Sequence, residues 1–300
     1  MKINKSSILL FLSMFFAASF CLAQDKPKIY ISADMEGVVG AVTGDQLGPS
    51  GFEYQRFREF MTQEVNTAIT AAREAGAGEI LVSDSHGNGE NLLIEKLPED
   101  VQVVRSWPRP LSMMAGIDAS FDGVIFIGYH ASTDNPAGVR AHTMSSANLA
   151  SVRLNDVAVT EAAINAAIAG HFDVPVIMIS GDDAAVKEAQ DVIGPIEGAV
   201  VKWNYGFHSA KTLTPAAGYK VIAEKTKAAI QRIKAFKPYK PQAPIKLDVR
   251  FKNYMPAEVL SYLSIVERTD SHSIRFIGKN MIEVSKFMTV MTSYSLDITP

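Results

Sequence analysis

The stretch KIYISADMEG, residues 28–37, joins an apolar run to an acidic turn that ends in glycine. Its first half, residues 28–32, is typical of a buried β-strand, and the polar residues begin where that strand ends. Comparable short, mostly apolar runs recur further along the chain, at residues 79–83, 102–105, 123–128 and 174–180. We therefore predict a sheet whose strands end in polar loops.

Helical patterns separate these strands. Between the first two, apolar residues recur at three- and four-residue spacing before Gly76 and Gly78: Phe57, Phe60, Met61, Val65, Ala68, Ile69 and Ala72. An alanine-rich helix is predicted at residues 161–169, closed by Gly170. Strands that alternate with helices predict an α/β fold, with a mostly parallel sheet and helices on both of its faces.

Acidic and histidine side chains lie just beyond the predicted strands. Asp34 and Glu36 follow the first strand, His86 follows the second, His130 ends the fourth, and Glu161 begins a helix. Because the carboxyl ends of parallel strands share one edge of a sheet, we expect Asp34, Glu36, His86 and His130 to meet in one crevice. Carboxylates packed this closely repel one another unless a cation lies between them.

Imidazole and carboxylate ligands together suit zinc, with manganese, cobalt or iron as alternatives. Five ligands with a carboxylate able to bridge suit a two-metal hydrolase site. Each residue also fits a structural role: Asp34 as a helix cap or turn residue, Glu36 as a surface acid, and His86 or His130 as a loop residue. The pattern alone leaves both interpretations open.

Two further polar segments have two interpretations each. His142 lies in a polar loop, where it is either a proton carrier or oxyanion donor or a structural loop residue, and the pattern alone favours the structural role. Asp182 and Asp183 follow the strand at residues 174–180; an N-cap of the helix from Ala184 is favoured over a metal ligand.

The remaining pattern divides the chain into parts. The main α/β domain, residues 24–233, is predicted to carry the site, and it includes a hairpin that turns at Asn155 and Asp156. Residues 234–244 are rich in proline and lysine and are predicted to form a connector. Residues 245–300 are predicted to form a small α+β appendage.

The amino terminus has the pattern of a secretory signal peptide, residues 1–23. Lys2 and Lys5 precede an apolar stretch, and cleavage is predicted after Ala23. That stretch is shorter than the roughly 20 residues of a transmembrane helix. We therefore expect an exported protein, periplasmic or extracellular, without a stable membrane span. Lipidation of Cys21 is the alternative, although Phe20 stands where a lipoprotein signal has a small residue.

Composition excludes several classes. The 300 residues carry a net charge of −3, without the basic surplus of a nucleic-acid-binding protein. Cys21 is the only cysteine, so the predicted mature chain has no disulfide and no thiolate ligand. The sequence has no phosphate-binding loop, dinucleotide fingerprint or serine nucleophile elbow.

In this order, five segments resemble the zinc-dependent D-aminopeptidases of the dipeptide-transport type: SADMEG at 32–37, DSHG at 84–87, GYHA at 128–131, HT at 142–143 and EA at 161–162. The resemblance covers nearly the whole predicted mature chain. It implies a metallo-aminopeptidase that uses a zinc-activated hydroxide to release amino-terminal D-amino acids from short peptides.

The resemblance also assigns roles. It implies two zinc ions held by Asp34, Glu36, His86, His130 and Glu161, with Asp34 as the bridge, and it makes His142 the catalytic histidine. It further implies a homo-oligomeric ring, a decamer with its active sites facing an inner channel.

Two features depart from the family. Its members are mostly cytoplasmic, whereas this chain begins with a signal pattern, and Thr160 stands where the family often has glycine. An exported enzyme of this type is expected to act on peptidoglycan-derived or other D-amino-acid peptides. The alternatives are a two-metal amidase or esterase without D-preference, and a non-catalytic metal-containing peptide-binding protein.

Overall fold

The computed structural model describes residues 26–294, and the predicted signal peptide lies outside them. The strands are β1 (Ile29–Ala33), β2 (Ile80–Asp84), β3 (Gln102–Val104), β4 (Gly123–Tyr129), β5 (Leu149–Leu154), β6 (Val157–Ala158), β7 (Val176–Asp182), β8 (Glu197–Gly206), β9 (Ser209–Thr212), β10 (Ile245–Phe251), β11 (Val266–Asp270) and β12 (Ser273–Gly278). The helices are α1 (Gly44–Leu47), α2 (Tyr54–Glu74), α3 (Glu161–His171), α4 (Asp183–Ile193), α5 (Pro215–Gln231), α6 (Tyr254–Leu260) and α7 (Met281–Ser293).

The first sheet has the strand order β3-β2-β1-β4-β7-β8-β9. Its neighbours run parallel except for β8 and β9, which pair antiparallel. Ala33 at the end of β1 is in register with Asp84 on β2 and with Ile127 on β4. The strands that flank β1 therefore end at one edge, and the predicted mostly parallel sheet is confirmed.

Helices cover both faces of this sheet, also as predicted. Ile31 of β1 belongs to an apolar core that includes residues of α2 and α5. Its neighbour Tyr30 belongs to the opposite core, which includes residues of α3 and α4. Successive residues of a strand point to opposite faces, so the continuous apolar run of β1 contributes to both cores.

A second, antiparallel sheet has the order β11-β12-β10-β5-β6. In it Leu247 of β10 is in register with Leu154 of β5, so strands from before and after residues 234–244 form one sheet. The hairpin of β5 and β6 turns at Asn155 and Asp156, both with positive φ, as the sequence predicts.

Gly170 does not close α3, contrary to the sequence-based prediction. The helix continues through it to His171. A Cβ on Gly170 would lie 2.0 Å from the Tyr239 carbonyl oxygen, so this glycine allows close approach of the segment after α5. Glycine serves here for packing rather than for a helix end.

Strands β8, β9 and β11 were not recognised in the sequence. The longest of the three, β8, contains a buried lysine, Lys202, within its apolar run, which obscures the strand pattern. The N-cap interpretation of Asp182 is confirmed, because its carboxylate accepts from the Ala185 amide at 2.7 Å.

Among residues 26–294, no helix is long and apolar enough to cross a membrane.

Candidate metal centre

The predicted site residues meet at the carboxyl edge of the first sheet. Asp34 directly follows β1, and its amide donates to the Ile127 carbonyl of β4 at 2.8 Å, which extends the strand pairing into the site. Ser85 is held in the same way, donating to the Ala33 carbonyl at 2.8 Å just before His86. The parallel register therefore brings together side chains that lie far apart in the sequence.

Glu161 reaches the same place from the first turn of α3. Thr160 is the N-cap, and its hydroxyl accepts from the Ala163 amide at 2.9 Å. The hydroxyl of Thr160 thus satisfies an amide that a glycine would leave without a side-chain partner. Glu161 Oε1 in turn accepts from the Met144 amide at 2.7 Å, which orients the carboxylate.

Asp34, Glu36 and His86 form the first of two buried clusters. His86 Nδ1 lies 3.1 Å from Asp34 Oδ1 and 2.8 Å from Glu36 Oε2. The other ring nitrogen, Nε2, donates to the Leu47 carbonyl at 2.6 Å. A hydrogen bond of this kind fixes the tautomer of a ligating histidine, so Nδ1 of the neutral ring carries the lone pair that faces the carboxylates.

The second cluster consists of His130, His142 and Glu161. Glu161 Oε1 lies 3.5 Å from His130 Nε2 and 3.7 Å from His142 Nε2. The two imidazole rings stack with centroids 4.1 Å apart. Their Nδ1 atoms donate to the carbonyls of Ala131 and Arg140 at 3.0 and 2.8 Å, so both Nε2 atoms face the site.

Asp34 connects the clusters. Its Oδ1 faces His86, and its Oδ2 lies 3.3 Å from His130 Nε2. Glu36 also lies between them, with Oε2 beside His86 and Oε1 at 4.0 Å from His142 Nε2. The six residues that the sequence analysis singled out are thus a single contiguous group.

Burial and mutual charge strongly perturb this group. Burial raises the pKa of Asp34, and the adjacent Glu36 charge raises it further. Burial also favours protonated Glu36 and Glu161, but the charges of His86 and His130 outweigh it and lower both pKa values. Burial lowers the pKa of each imidazole, but the facing carboxylates outweigh it and raise both well above the usual range.

Three buried atoms of the group have no hydrogen-bond partner: Asp34 Oδ2, Glu36 Oε2 and His130 Nε2. Glu36 Oε2 is close to the His86 ring but not in hydrogen-bonding geometry. Buried polar atoms without partners are rare, and unpaired carboxylate and imidazole atoms that face one another fit a bound cation. Nitrogen and oxygen ligands in this mixture suit zinc.

The group lines a cleft of about 310 Å³. Its other walls include Trp107, Met113, Met144 and two residues at the end of α7, Thr292 and Ser293. None of these was singled out from the sequence, because each is an ordinary apolar or hydroxyl residue outside any motif. The cleft therefore combines an acidic floor with partly apolar walls.

Two buried charged residues behind the site were missed as well. Lys202 of β8 donates from Nζ to the carbonyls of Glu36, Val38 and Ala41, and Glu64 of α2 accepts from the Val39 amide. A charged residue inside an otherwise apolar strand or helix face is the signal that points to such residues.

Comparison with known proteins agrees with the sequence and the geometry. A family model described as D-aminopeptidase, Peptidase_M55, matches residues 28–290. The chain is 37% identical to the D-aminopeptidase of Bacillus subtilis strain 168 over 273 residues, which cover 90% of this chain and 98% of that relative. It is also similar to the solved structure of a Zn-dependent D-aminopeptidase from Bacillus subtilis, DppA, described as a self-compartmentalizing protease. That match has a TM-score of 0.86 and 36% identity, and it covers 91% of this chain and 99% of that one. This chain belongs to the D-aminopeptidase family.

Proposed function

We propose that this protein is a zinc-dependent aminopeptidase that releases amino-terminal D-amino acids from short peptides. The observation that carries the proposal is the convergence of two histidine–carboxylate clusters on Asp34, whose two oxygens face different clusters. The D-aminopeptidase identity of the relatives supports the substrate class.

The ligands would divide between the two clusters. Asp34, Glu36 and His86 would hold one zinc ion, while Asp34, His130 and Glu161 would hold the second. When bound in such a pair, zinc activates a water molecule for attack and polarises the scissile carbonyl. Hydrogen bonds from His86 Nε2 and His130 Nδ1 to backbone carbonyls hold the rings in their ligating orientation.

His142 is the proton carrier in this proposal. Its Nδ1 donates to the Arg140 carbonyl, so Nε2 of the neutral ring is a free base that faces the site. Once protonated, Nε2 donates to the developing oxyanion or passes its proton to the leaving amine. His142 is more exposed than His130, so the reacting end of a bound peptide has access to it.

The cleft favours a small substrate with a free amino terminus. Its acidic residues attract a substrate ammonium group, and its volume of about 310 Å³ limits how much of a peptide enters. Trp107, Met113 and Met144 offer apolar contacts to a side chain. Short peptides therefore fit better than folded proteins.

We also propose that the chain is exported and acts on peptidoglycan-derived or other D-amino-acid peptides, because residues 1–23 have the pattern of a signal peptide. Fractionation of the source cells, with amino-terminal sequencing of the purified protein, tests the proposal. A mature protein outside the cytoplasm that starts after Ala23 supports export, and an uncleaved cytoplasmic chain contradicts it.

Assembly into a ring, a decamer by family resemblance, completes the proposal. The similar DppA structure is described as self-compartmentalizing, and this chain has exposed apolar side chains on α6 and just after it: Tyr254, Met255, Val259, Tyr262, Leu263 and Ile265. Light scattering should give a mass near ten chains, and Val259→Asp should lower it. Val290→Asp, an exposed valine on α7, is the matched control. A monomeric wild-type protein would contradict assembly.

The deciding experiment is hydrolysis of paired D-Ala and L-Ala p-nitroanilides by the zinc-loaded mature protein, with a chelator-treated control. We expect chelator-sensitive turnover of the D substrate only. Equal turnover of both substrates would instead indicate a metal hydrolase without D-preference. Stoichiometric metal binding without turnover of either would contradict this substrate class and favour a binding role.

A further inference from the structure

The segment that carries Glu36 has little regular structure of its own. We call residues 34–41, which leave β1 before α1, the ligand loop. Within it the Val38 amide donates to Met35 and the Ala41 amide donates to Val38, both at 3.1 Å. The Gly37 amide donates to the Gly128 carbonyl at 2.6 Å, and a Cβ on Gly37 would lie 2.0 Å from the Tyr129 carbonyl oxygen. The loop therefore depends on contacts from other elements for its shape.

Lys202 binds the carbonyl side of the ligand loop. Its Nζ donates to the carbonyl oxygens of Val38 at 3.0 Å, of Ala41 at 2.6 Å, and of Glu36. These three bonds use all three donors of the ammonium group. One of them ends on the backbone of a proposed metal ligand, so Lys202 fixes the peptide unit from which the Glu36 side chain projects.

Glu64 binds the amide side of the same loop. From α2, its Oε1 accepts from the Val39 amide at 2.9 Å. Lys202 on the sheet thus binds carbonyl oxygens of the loop, and Glu64 on a helix binds the amide of a residue adjacent to them. We call Lys202 and Glu64 together the loop clamp.

Neither member of the loop clamp is placed as an ordinary ion pair. Both side chains are completely buried. No carboxylate oxygen in the part of the chain that the structure describes lies within 4.0 Å of Lys202 Nζ. A buried charge without an adjacent counter-charge is unfavourable for folding. Simple filling of the core would be achieved better by an apolar side chain, so the polarity of these residues needs another explanation.

We propose that Lys202 and Glu64 are positioning residues, which hold the ligand loop so that Glu36 meets His86 at the metal centre. This inference rests on the proposed function. Both residues act through the backbone of the loop, and neither faces the substrate cleft. Replacing residues that orient metal ligands typically lowers metal affinity or activity about 10- to 100-fold.

The test compares Lys202→Met, Glu64→Leu and Glu64→Gln with Lys187→Met, a matched control at an exposed lysine on α4. Zinc affinity is measured by competition with a chromophoric chelator, and hydrogen exchange of residues 34–41 is measured without substrate. Turnover of the D substrate is measured in parallel, with kcat and KM separated.

We expect Lys202→Met and Glu64→Leu to weaken zinc binding about 10- to 100-fold, to lower kcat and to speed exchange in the ligand loop more than elsewhere. Glu64→Gln should retain affinity within about threefold, because its amide oxygen still accepts from the Val39 amide. Lys187→Met should match the wild type.

Wild-type zinc affinity and loop exchange in folded Lys202→Met and Glu64→Leu would overturn the proposal. Failure of both variants to fold would assign the residues to core stability and overturn it equally. Absence of D-aminopeptidase turnover in the wild type contradicts the proposed function alone, because zinc affinity and hydrogen exchange report on the clamp without substrate.

Discussion

The two sheets of this protein treat charged side chains in opposite ways. At the carboxyl edge of the first sheet, carboxylates and imidazoles are buried and face one another, and three of their atoms have no hydrogen-bond partner. On the second sheet, charges are partly exposed and matched across strands. Arg275 and Asp248 lie 2.8 Å apart on neighbouring strands, and Arg250 lies 2.9 Å from Asp270.

This difference distinguishes charged residues that serve the site from charged residues on an exposed surface. Exposed ion pairs contribute little to stability, although opposite charges that face one another across strands favour the register of the second sheet. Buried carboxylates without complete partners are unfavourable for folding, so a protein retains them where a ligand uses them. We therefore expect substitutions of the buried charged residues at the edge of the first sheet to lower metal binding and turnover. Substitutions of the paired charged residues on the second sheet should change activity and stability little.

The largest expected effect is that of His86→Ala. Removal of this imidazole takes one proposed ligand from the Asp34–Glu36 side, so we expect loss of nearly all turnover and a lower zinc content per chain. Metal analysis and D-Ala p-nitroanilide hydrolysis measure both. His171→Ala, at an exposed histidine that ends α3, is the matched control. Full activity in His86→Ala would contradict the assigned metal centre.

His142→Ala tests whether His142 transfers protons rather than binding metal. We expect turnover to fall about 100- to 10,000-fold, as for loss of a general acid or base, with zinc content unchanged. Kinetics and metal analysis on the same preparation check this outcome. Loss of zinc together with rate would instead make His142 a ligand, as its position 3.7 Å from Glu161 also permits.

Glu64→Gln tests whether the burial of charge behind the site carries a free-energy cost. Burial raises the pKa of Glu64 from 4.5 to about 7, although the Val39 amide and the Lys202 charge oppose the rise. Between these values the unfolded chain releases a proton that the native protein retains, so native stability falls as pH rises through this window.

The difference between the native and unfolded pKa values of Glu64 corresponds to about 3 kcal/mol in the free energy of unfolding. Urea unfolding of metal-free wild type and Glu64→Gln should therefore give curves that diverge from pH 4.5 to 7, with the wild type losing more stability. All other titrating groups are shared and cancel in the comparison. Parallel pH profiles would show that Glu64 is not held protonated.

The smallest expected effect is that of Asp248→Ala on the second sheet. It removes the partner of Arg275 across β10 and β12. Because both side chains are partly exposed, we expect the melting temperature to change by less than about 4 °C and kcat/KM to stay the same. A loss of activity in this variant would show that the second sheet is coupled to the site.

Much of the centre was predictable because its signals are local. Apolar runs that end in Asp34, His86 or His130 identify strand ends, and the parallel topology then brings those ends to one edge. Thr160 and Glu161 are recognisable as the start of a helix. No distance between these residues follows from the sequence, since register and loop path determine it.

The parts that escaped prediction depend on partners distant in sequence. Strand β8 was missed because Lys202 interrupts its apolar pattern, and the partners of that lysine lie in residues 36–41. The sequence predicts that Gly170 ends α3, but glycine is required there because the Tyr239 backbone packs closely against it. Both residues make contacts with segments distant in sequence. Lys202 therefore contradicts the local strand pattern, and Gly170 resembles a local signal for a helix end.

The sequence by itself determined the α/β class and identified Asp34, Glu36, His86, His130 and Glu161 as candidate site residues, because strand and helix periods and the polar residues at strand ends are local features. The catalytic role expected of His142 came only from the family resemblance. Only the tertiary structure decided that Asp34 faces both clusters, that Lys202 and Glu64 hold the ligand loop, and that β10 pairs with β5. Those outcomes depend on which surfaces pack together. Packing is set by the whole chain at once, because each buried polar group must find its partner wherever the fold brings one.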